Sequence, residues 1–189
     1  LKLAGLVKVS SDVIDATFNE IRRTLHEELD YVHEGENLLF FAEHYKDNPK
    51  VIVPGLVKEL SAETILTLTY VPGDSLADVK SPRYTQEVIN EIGYRIFETF
   101  GKQIYELHAV HSDPHPGNFA FRPDGTLIIY DFGAVKRIEP ETIDKLRALI
   151  DDAINGRVDT IDEHLRKIGA RQPDSAAIPS SYYKEWLDI

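Results

Sequence analysis

The chain has 189 residues, 42% apolar and 28% charged, a globular composition with room for one domain of ordinary size. Its formal net charge of −11 argues against nucleic-acid binding, and the absence of Cys excludes disulfides, thiol catalysis and thiolate metal sites while fitting a reducing compartment. No apolar run approaches the ~20 residues of a membrane span, and Met is absent even at position 1, so a fragment, a processed piece or a sequence that has lost modified methionines is expected.

Taken in chain order, Ser10-Ser11-Asp12 offers N-cap oxygens ahead of Val13, Ile14, Phe18, Ile21, Leu25, Leu29 and Val32. Intervals of three and four predict one apolar face of a long helix over 13–32 and beyond. Asp30 and Glu34 fall at i,i+4 on that helix, with Glu27 and Glu28 one turn back. Like charges at this spacing cost roughly 0.2–0.5 kcal/mol per pair. Arg23 can partner Glu27, but no cation lies one turn beyond Asp30 or Glu34. Taken alone, these residues describe a solvated acidic face. Residues 50–58 and 64–71 read as β-rich runs, bounded by Asp47-Asn48-Pro49 and by Pro72-Gly73. Ser81-Pro82 predicts the start of a long helix, whose stripe of Val88, Ile92, Ile96, Phe100, Ile104 and Leu107 is core-forming. Next come two short apolar runs, Phe119-Ala120-Phe121 and Leu127-Ile128-Ile129-Tyr130, joined through Asp124-Gly125, a hairpin signal. Pro140 begins a further helix, and another spans 158–168 with Gly169 as its stop. Tyr182, Tyr183, Trp186 and Leu187 supply apolar area to dock near the chain end.

Chemistry concentrates around the hairpin. His111-Ser112-Asp113-Pro114-His115-Pro116-Gly117-Asn118 is followed, 13 residues after its Asn, by Asp131-Phe132-Gly133. An Asp, an Asn five positions on, and a second Asp opening Asp-Phe-Gly is the spacing of a kinase-like phosphoryl-transfer site. Asp113 would accept or orient the proton of an attacking hydroxyl. Asn118 and Asp131 would give oxygens to Mg²⁺ on the phosphates of ATP. A hairpin brings those two residues to the same end, as a shared cation requires. The alternative is a surface hairpin with solvated carboxylates.

The segment from His111 to Asn118 closely resembles the catalytic loop of the UbiB-like, ADCK-type atypical kinases, and Glu28-Leu29-Asp30 with Tyr31 and Glu34 resembles that family's Glu-x-Asp motif and helix-C Glu. The resemblance covers roughly residues 13–154. It implies an α+β, protein-kinase-like fold, with 1–71 as a partial small lobe and 72–189 as the large lobe. Val71 would offer its N–H to adenine at the interlobe hinge, because Pro72 has none. Glu28, Asp30 and Glu34 would be regulatory or ion-pairing carboxylates, Glu34 awaiting an active-site Lys. His111 would buttress the loop, and His115 would stabilise a turn. The family's Lys-x-Gly-Gln motif, Ala-rich nucleotide loop and strand Lys do not occur here, which puts catalysis by this chain alone in doubt. Missing first strands would leave the 13–32 helix or the 51–58 strand exposed or paired with another chain, as in a homodimer.

The six-residue gap between Gly133 and the next helix start leaves no room for a long activation loop, so a small molecule, a lipid or bare ATP hydrolysis is expected rather than a protein acceptor. The resemblance implies a cytoplasmic protein at a membrane surface (mitochondrial or plastid in a eukaryote), with a lipid or quinone-precursor ligand in ubiquinone or isoprenoid-lipid metabolism. Two other readings stand beside it: a small-molecule phosphotransferase of the aminoglycoside or choline kinase type, and a non-catalytic nucleotide-binding fragment.

Overall fold

The computed structural model describes residues 14, 15, 17–19, 22 and 30–187. Its described helices are α1 (Tyr31–Tyr45), α2 (Gln86–Tyr105), α3 (Pro140–Ile154), α4 (Ile161–Lys167) and α5 (Ser180–Leu187), and its strands are β1 (Val51–Ile52), β2 (Ala109–His111), β3 (Phe119–Phe121), β4 (Leu127–Ile129) and β5 (Val135–Arg137). This is the mixed, mostly helical α+β architecture that the sequence implies. Two compact units divide the chain: 1–99 with 111–136, and 100–110 with 137–189.

The first unit is built on the hairpin. β3 and β4 pair antiparallel, with Phe119 opposite Ile129 and Phe121 opposite Leu127. Gly125 takes a φ of 78°, which the turn requires and a side chain resists, and Asp124 Oδ1 accepts the Thr126 N–H. All six strand residues are buried, which is why both runs are continuously apolar rather than alternating. β1 adds parallel to β4, giving the order β1-β4-β3. α1 supplies the rest of this core. Leu38 and Phe41 are fully buried, Tyr45 nearly so, and Phe41 stacks on Phe132 with centroids 4.6 Å apart. Burying side chains of this size contributes about 1.5–3 kcal/mol each.

Three sequence expectations need correction. The helix carrying Glu34 does not run on from residue 13: it starts at Tyr31, and Asp30, at φ −92° and ψ 80°, is its N-cap, accepting the His33 N–H at 3.0 Å. Aspartate competes well for an orphan N–H at a helix start and poorly as a mid-helix residue, so the cap interrupts an otherwise continuous apolar period. Val32, assigned to the apolar face, is 49% exposed. Residues 14, 15, 17–19 and 22 are helical, with Ile14 and Phe18 exposed; the remaining stripe residues up to Leu29 lie outside the described residues. Second, the runs at 50–58 and 64–71 contain only the two-residue β1 and isolated bridges, Leu56 with Leu68 and Ala62 with Ile65. The intervening 3₁₀ turn at Lys58–Leu60, together with Ser61 and Thr67 side chains bonded to the backbone, takes up groups a longer ladder would use. Third, the helix expected from Ser81 starts at Gln86, where Thr85 Oγ1 accepts the Val88 N–H; Ser81 instead closes the 3₁₀ turn Asp78–Lys80.

The second unit packs α3, α4 and α5 around two partly exposed carboxylates. Asp152 accepts from Arg157 Nε at 2.6 Å and meets His164 Nε2 at 2.8 Å. Asp162 holds Arg166 Nε and Nη2 at 3.0 Å, pairs with Arg171, and accepts the Tyr183 hydroxyl at 2.7 Å, so α5 is tied down through its buried Tyr183. Tyr182, Trp186 and Leu187 on the same helix stay exposed.

Candidate functional site

The hairpin delivers the site. Tyr130 N–H donates to Asn118 O at 2.9 Å, extending the ladder by one pair, so Asn118 and Asp131 leave the same end. Asn118 Nδ2 donates to both Asp113 O and Asp113 Oδ2 at 3.1 Å. The amide nitrogen therefore closes the catalytic-loop segment on itself, and Asn118 Oδ1 is the end left to meet a cation. His115 Nδ1 accepts the Gly117 N–H at 3.1 Å and shapes the same turn. Ser112 anchors the segment through its N–H and hydroxyl, both donated to Ala134 O, at 2.8 and 3.0 Å. His111 is 2% exposed beneath the loop, edge-on to Phe119, and burial pushes its pKa down against the pull of Asp131 and Asp113.

A cavity of about 340 Å³ is lined by Tyr31, Glu34, Asp113, Asp131, Gly133 and Ala134. Asp131 Oδ1 accepts the Gly133 N–H at 2.8 Å, which fixes the carboxylate against the turn. Glu34 projects from the first turn of α1 into the same space. Burial raises its pKa first and the Asp131 charge raises it further, while a hydrogen bond from the Phe132 backbone works against both. A Cβ at Gly133 would lie 3.5 Å from both Asp131 Oδ1 and Glu34 Oε2, in ordinary contact with each, so only the hydrogen of this glycine separates the backbone from the two carboxylates.

The donor set suits a hard cation. Carboxylate and amide oxygens are what Mg²⁺ takes, and it keeps waters and phosphate oxygens for the rest of its shell. In keeping with that, no three His, Asp or Glu side chains among the described residues converge closely enough to enclose a metal by themselves.

Val71 gives its carbonyl to the Tyr130 hydroxyl at 2.7 Å, next in sequence to Asp131, and its N–H is the polar group it has left to offer a ligand. The chain after it is laid on β3: Asp74 and Phe121 exchange backbone bonds, and Arg122 Nε donates to Pro72 O. Gly73 is required there, because a Cβ would come within 2.7 Å of Ala120 and Ile128. Asp30 acts as the cap of α1 and does not line the cavity. Glu28 lies outside the described residues. Sequence reasoning missed Tyr31, Tyr130 and Asn37. Of these, Asn37 carried a signal: it shares the i, i+4, i+8 face of Phe41 and Tyr45, where a polar residue needs a partner.

A family model described as the ABC1 atypical kinase-like domain matches residues 2–165. ACTIVITY OF BC1 COMPLEX KINASE 8, chloroplastic, of Arabidopsis thaliana is 34% identical over 127 residues, covering 66% of this chain and 17% of that protein. An uncharacterised Synechocystis protein, slr1919, is 33% identical over 156 residues, covering 82% and 27%. The structure of Rv3197 in complex with erythromycin, from Mycobacterium tuberculosis, superposes with a TM-score of 0.69 at 26% identity, covering 93% of this chain and 45% of that one. The chain thus spans about a quarter or less of the length of these curated relatives. Among the described residues no helix is long and apolar enough to cross a membrane. With a domain match over most of its length, this chain belongs to the ABC1/UbiB atypical kinase-like family.

Proposed function

We propose that the intact protein is a Mg²⁺- and ATP-dependent phosphotransferase or ATPase. The observation that carries this reading is the convergence of Asp113, Asp131 and Glu34 on one cavity, with Asn118 bonded to Asp113 at its edge. When bound, Mg²⁺ supplies charge neutralisation for the phosphates. Asn118 Oδ1 and the Asp131 carboxylate would hold it. Asp113, exposed at the loop, orients the acceptor hydroxyl or a water and takes its proton. Val71 N–H meets the nucleotide base, in a division of the chain into a partial small lobe (1–71) and a large lobe (72–189). Glu34 is poised for a cation, which a Lys elsewhere in the intact protein would provide, with Glu28 and Asp30 as neighbouring regulatory carboxylates.

For the acceptor, we propose a lipid or quinone precursor at a membrane surface rather than a protein. The short path from Gly133 to α3, occupied by β5, supports this by leaving no peptide-docking loop there. The net charge of −11 requires any contact with an anionic leaflet to use a local apolar or basic patch. A second reading, a small soluble acceptor, draws support from the erythromycin complex of Rv3197 and from an acidic surface suited to cationic compounds. ATP turnover by the intact protein, measured alone, with liposomes, with a quinone-precursor phenol and with erythromycin, tests both. Stimulation by liposomes or the phenol supports the lipid reading, and stimulation by erythromycin alone the second. Robust phosphorylation of a protein panel with no response to any of the three overturns the proposed acceptor class.

A further inference from the structure

Asn37 is 2% exposed, on the inner face of α1, three residues after Glu34. Its Nδ2 donates to Phe132 O at 3.1 Å, across 95 residues of sequence. One turn of α1 therefore holds the carbonyl of the residue between Asp131 and Gly133. The Phe132 ring is fully buried, stacked on Phe41 from the following turn of α1 and 5.9 Å from His111. Backbone and ring are fixed together, and the peptide that carries Asp131 has little freedom left. A position serving packing alone would favour an apolar side chain, since a buried amide is costly unless bonded.

We infer that Asn37 is a positioning residue for Asp131: by holding the Phe132 carbonyl it fixes the orientation in which the Asp131 carboxylate meets a divalent cation. The inference rests on the Mg²⁺-nucleotide reading of the site. It makes the register of α1 and the conformation of Asp131-Phe132-Gly133 a single mechanical unit, so a shift of α1 would be felt at the metal. Asn37 does not line the cavity, and its amide acts on the site through the Phe132 carbonyl.

The test uses the intact protein with Asn37→Leu, which removes the donor at similar volume, and Asn37→Asp, which sets a carboxylate against the carbonyl. Binding of a fluorescent ADP is followed while Mg²⁺ is titrated, well below each variant's unfolding temperature. The expected result is a Mg²⁺ midpoint raised on the order of 10-fold, the usual cost of removing an outer-shell partner, with ADP affinity at saturating Mg²⁺ nearly unchanged. A purely structural role would lower the melting temperature and leave the midpoint where it was; a rise below about threefold in a folded variant overturns the inference. If neither variant folds, ¹⁵N-asparagine labelling of the parent protein answers the same question. The Asn37 side-chain amide resonance should move on adding Mg²⁺ with ADP and not on adding ADP with EDTA, and an unmoved resonance overturns the inference. Absence of any Mg²⁺-dependent ADP binding by the parent overturns the nucleotide reading itself, a distinct outcome.

Discussion

Glu34 and Asp131 share a cavity whose described lining holds no cationic side chain, and that arrangement has a measurable cost. The pKa of Glu34 lies above its ordinary 4.5, from burial first and the Asp131 charge second. A raised folded-state value means that the stabilising, protonated form is complete below 4.5 and is lost as pH rises through the folded value. At pH 7.5 the ionised side chain is therefore a burden. Glu34→Gln, which removes the charge at nearly the same volume, should raise the melting temperature by about 2–4 °C at pH 7.5 without nucleotide. The gain should shrink as pH falls toward 4.5. Thermal scans across that range check it, and an equal or lower melting temperature at every pH would contradict it. That Asn118 and Asp131 leave the same end of the hairpin was legible in the sequence, because a tight turn converts fixed spacing into proximity. The bond made by Tyr130 was not, since it meets a backbone carbonyl far away in sequence and no side-chain pattern marks a carbonyl; for Asn37 the pattern marked a polar residue on a core face but not its partner.

Among the elements, α1 decides where Glu34 points, and Asp30 decides where α1 begins. Asp30→Ala should cost about 0.5–2 kcal/mol in urea unfolding, the usual range for a lost N-cap. A loss no larger than that of Glu36→Ala, on the exposed face of the same helix, would count against the cap. Phe41→Ala removes the ring beneath Phe132 and should cost about 3–5 kcal/mol, through lost transfer energy and the cavity left behind. The hairpin at 119–129 was legible because Asp124-Gly125 permits the turn and both flanking runs are apolar throughout. The boundaries of α1 and α2 were not. At Asp30 a capping bond interrupts a hydrophobic period that reads as continuous, and at Ser81 a 3₁₀ turn takes the cap residue that the sequence offers to a helix. The β-rich stretch before Val71 misled for another reason: strand-forming residues do not state whether a ladder partner is present, and here the pairing reduces to bridges.

At the scale of the whole molecule, the second unit is a separate structural problem with its own polar keystone. Asp162 joins Arg166, Arg171 and Tyr183, all at most about one-fifth exposed. Asp162→Ala leaves two arginines without their carboxylate and should cost about 3–5 kcal/mol, read as lost hydrogen-exchange protection in α5. Unchanged protection there would contradict the assignment. Of this cluster the sequence marked only Tyr183, as apolar area to dock; that Asp162 would gather Arg166 and Arg171 beside it was not visible there. Family and fold, by contrast, were legible from two short motifs, because phosphoryl transfer needs those residue types at that spacing. Nucleotide binding in two variants of the intact protein tests the central claim most directly. Asp131→Asn should abolish Mg²⁺-dependent ADP binding, because it strips the main anionic ligand from a hard cation, while Asp113→Asn should bind nearly as the parent does and lose turnover. Equal loss of binding in both variants would contradict the roles assigned to the two aspartates.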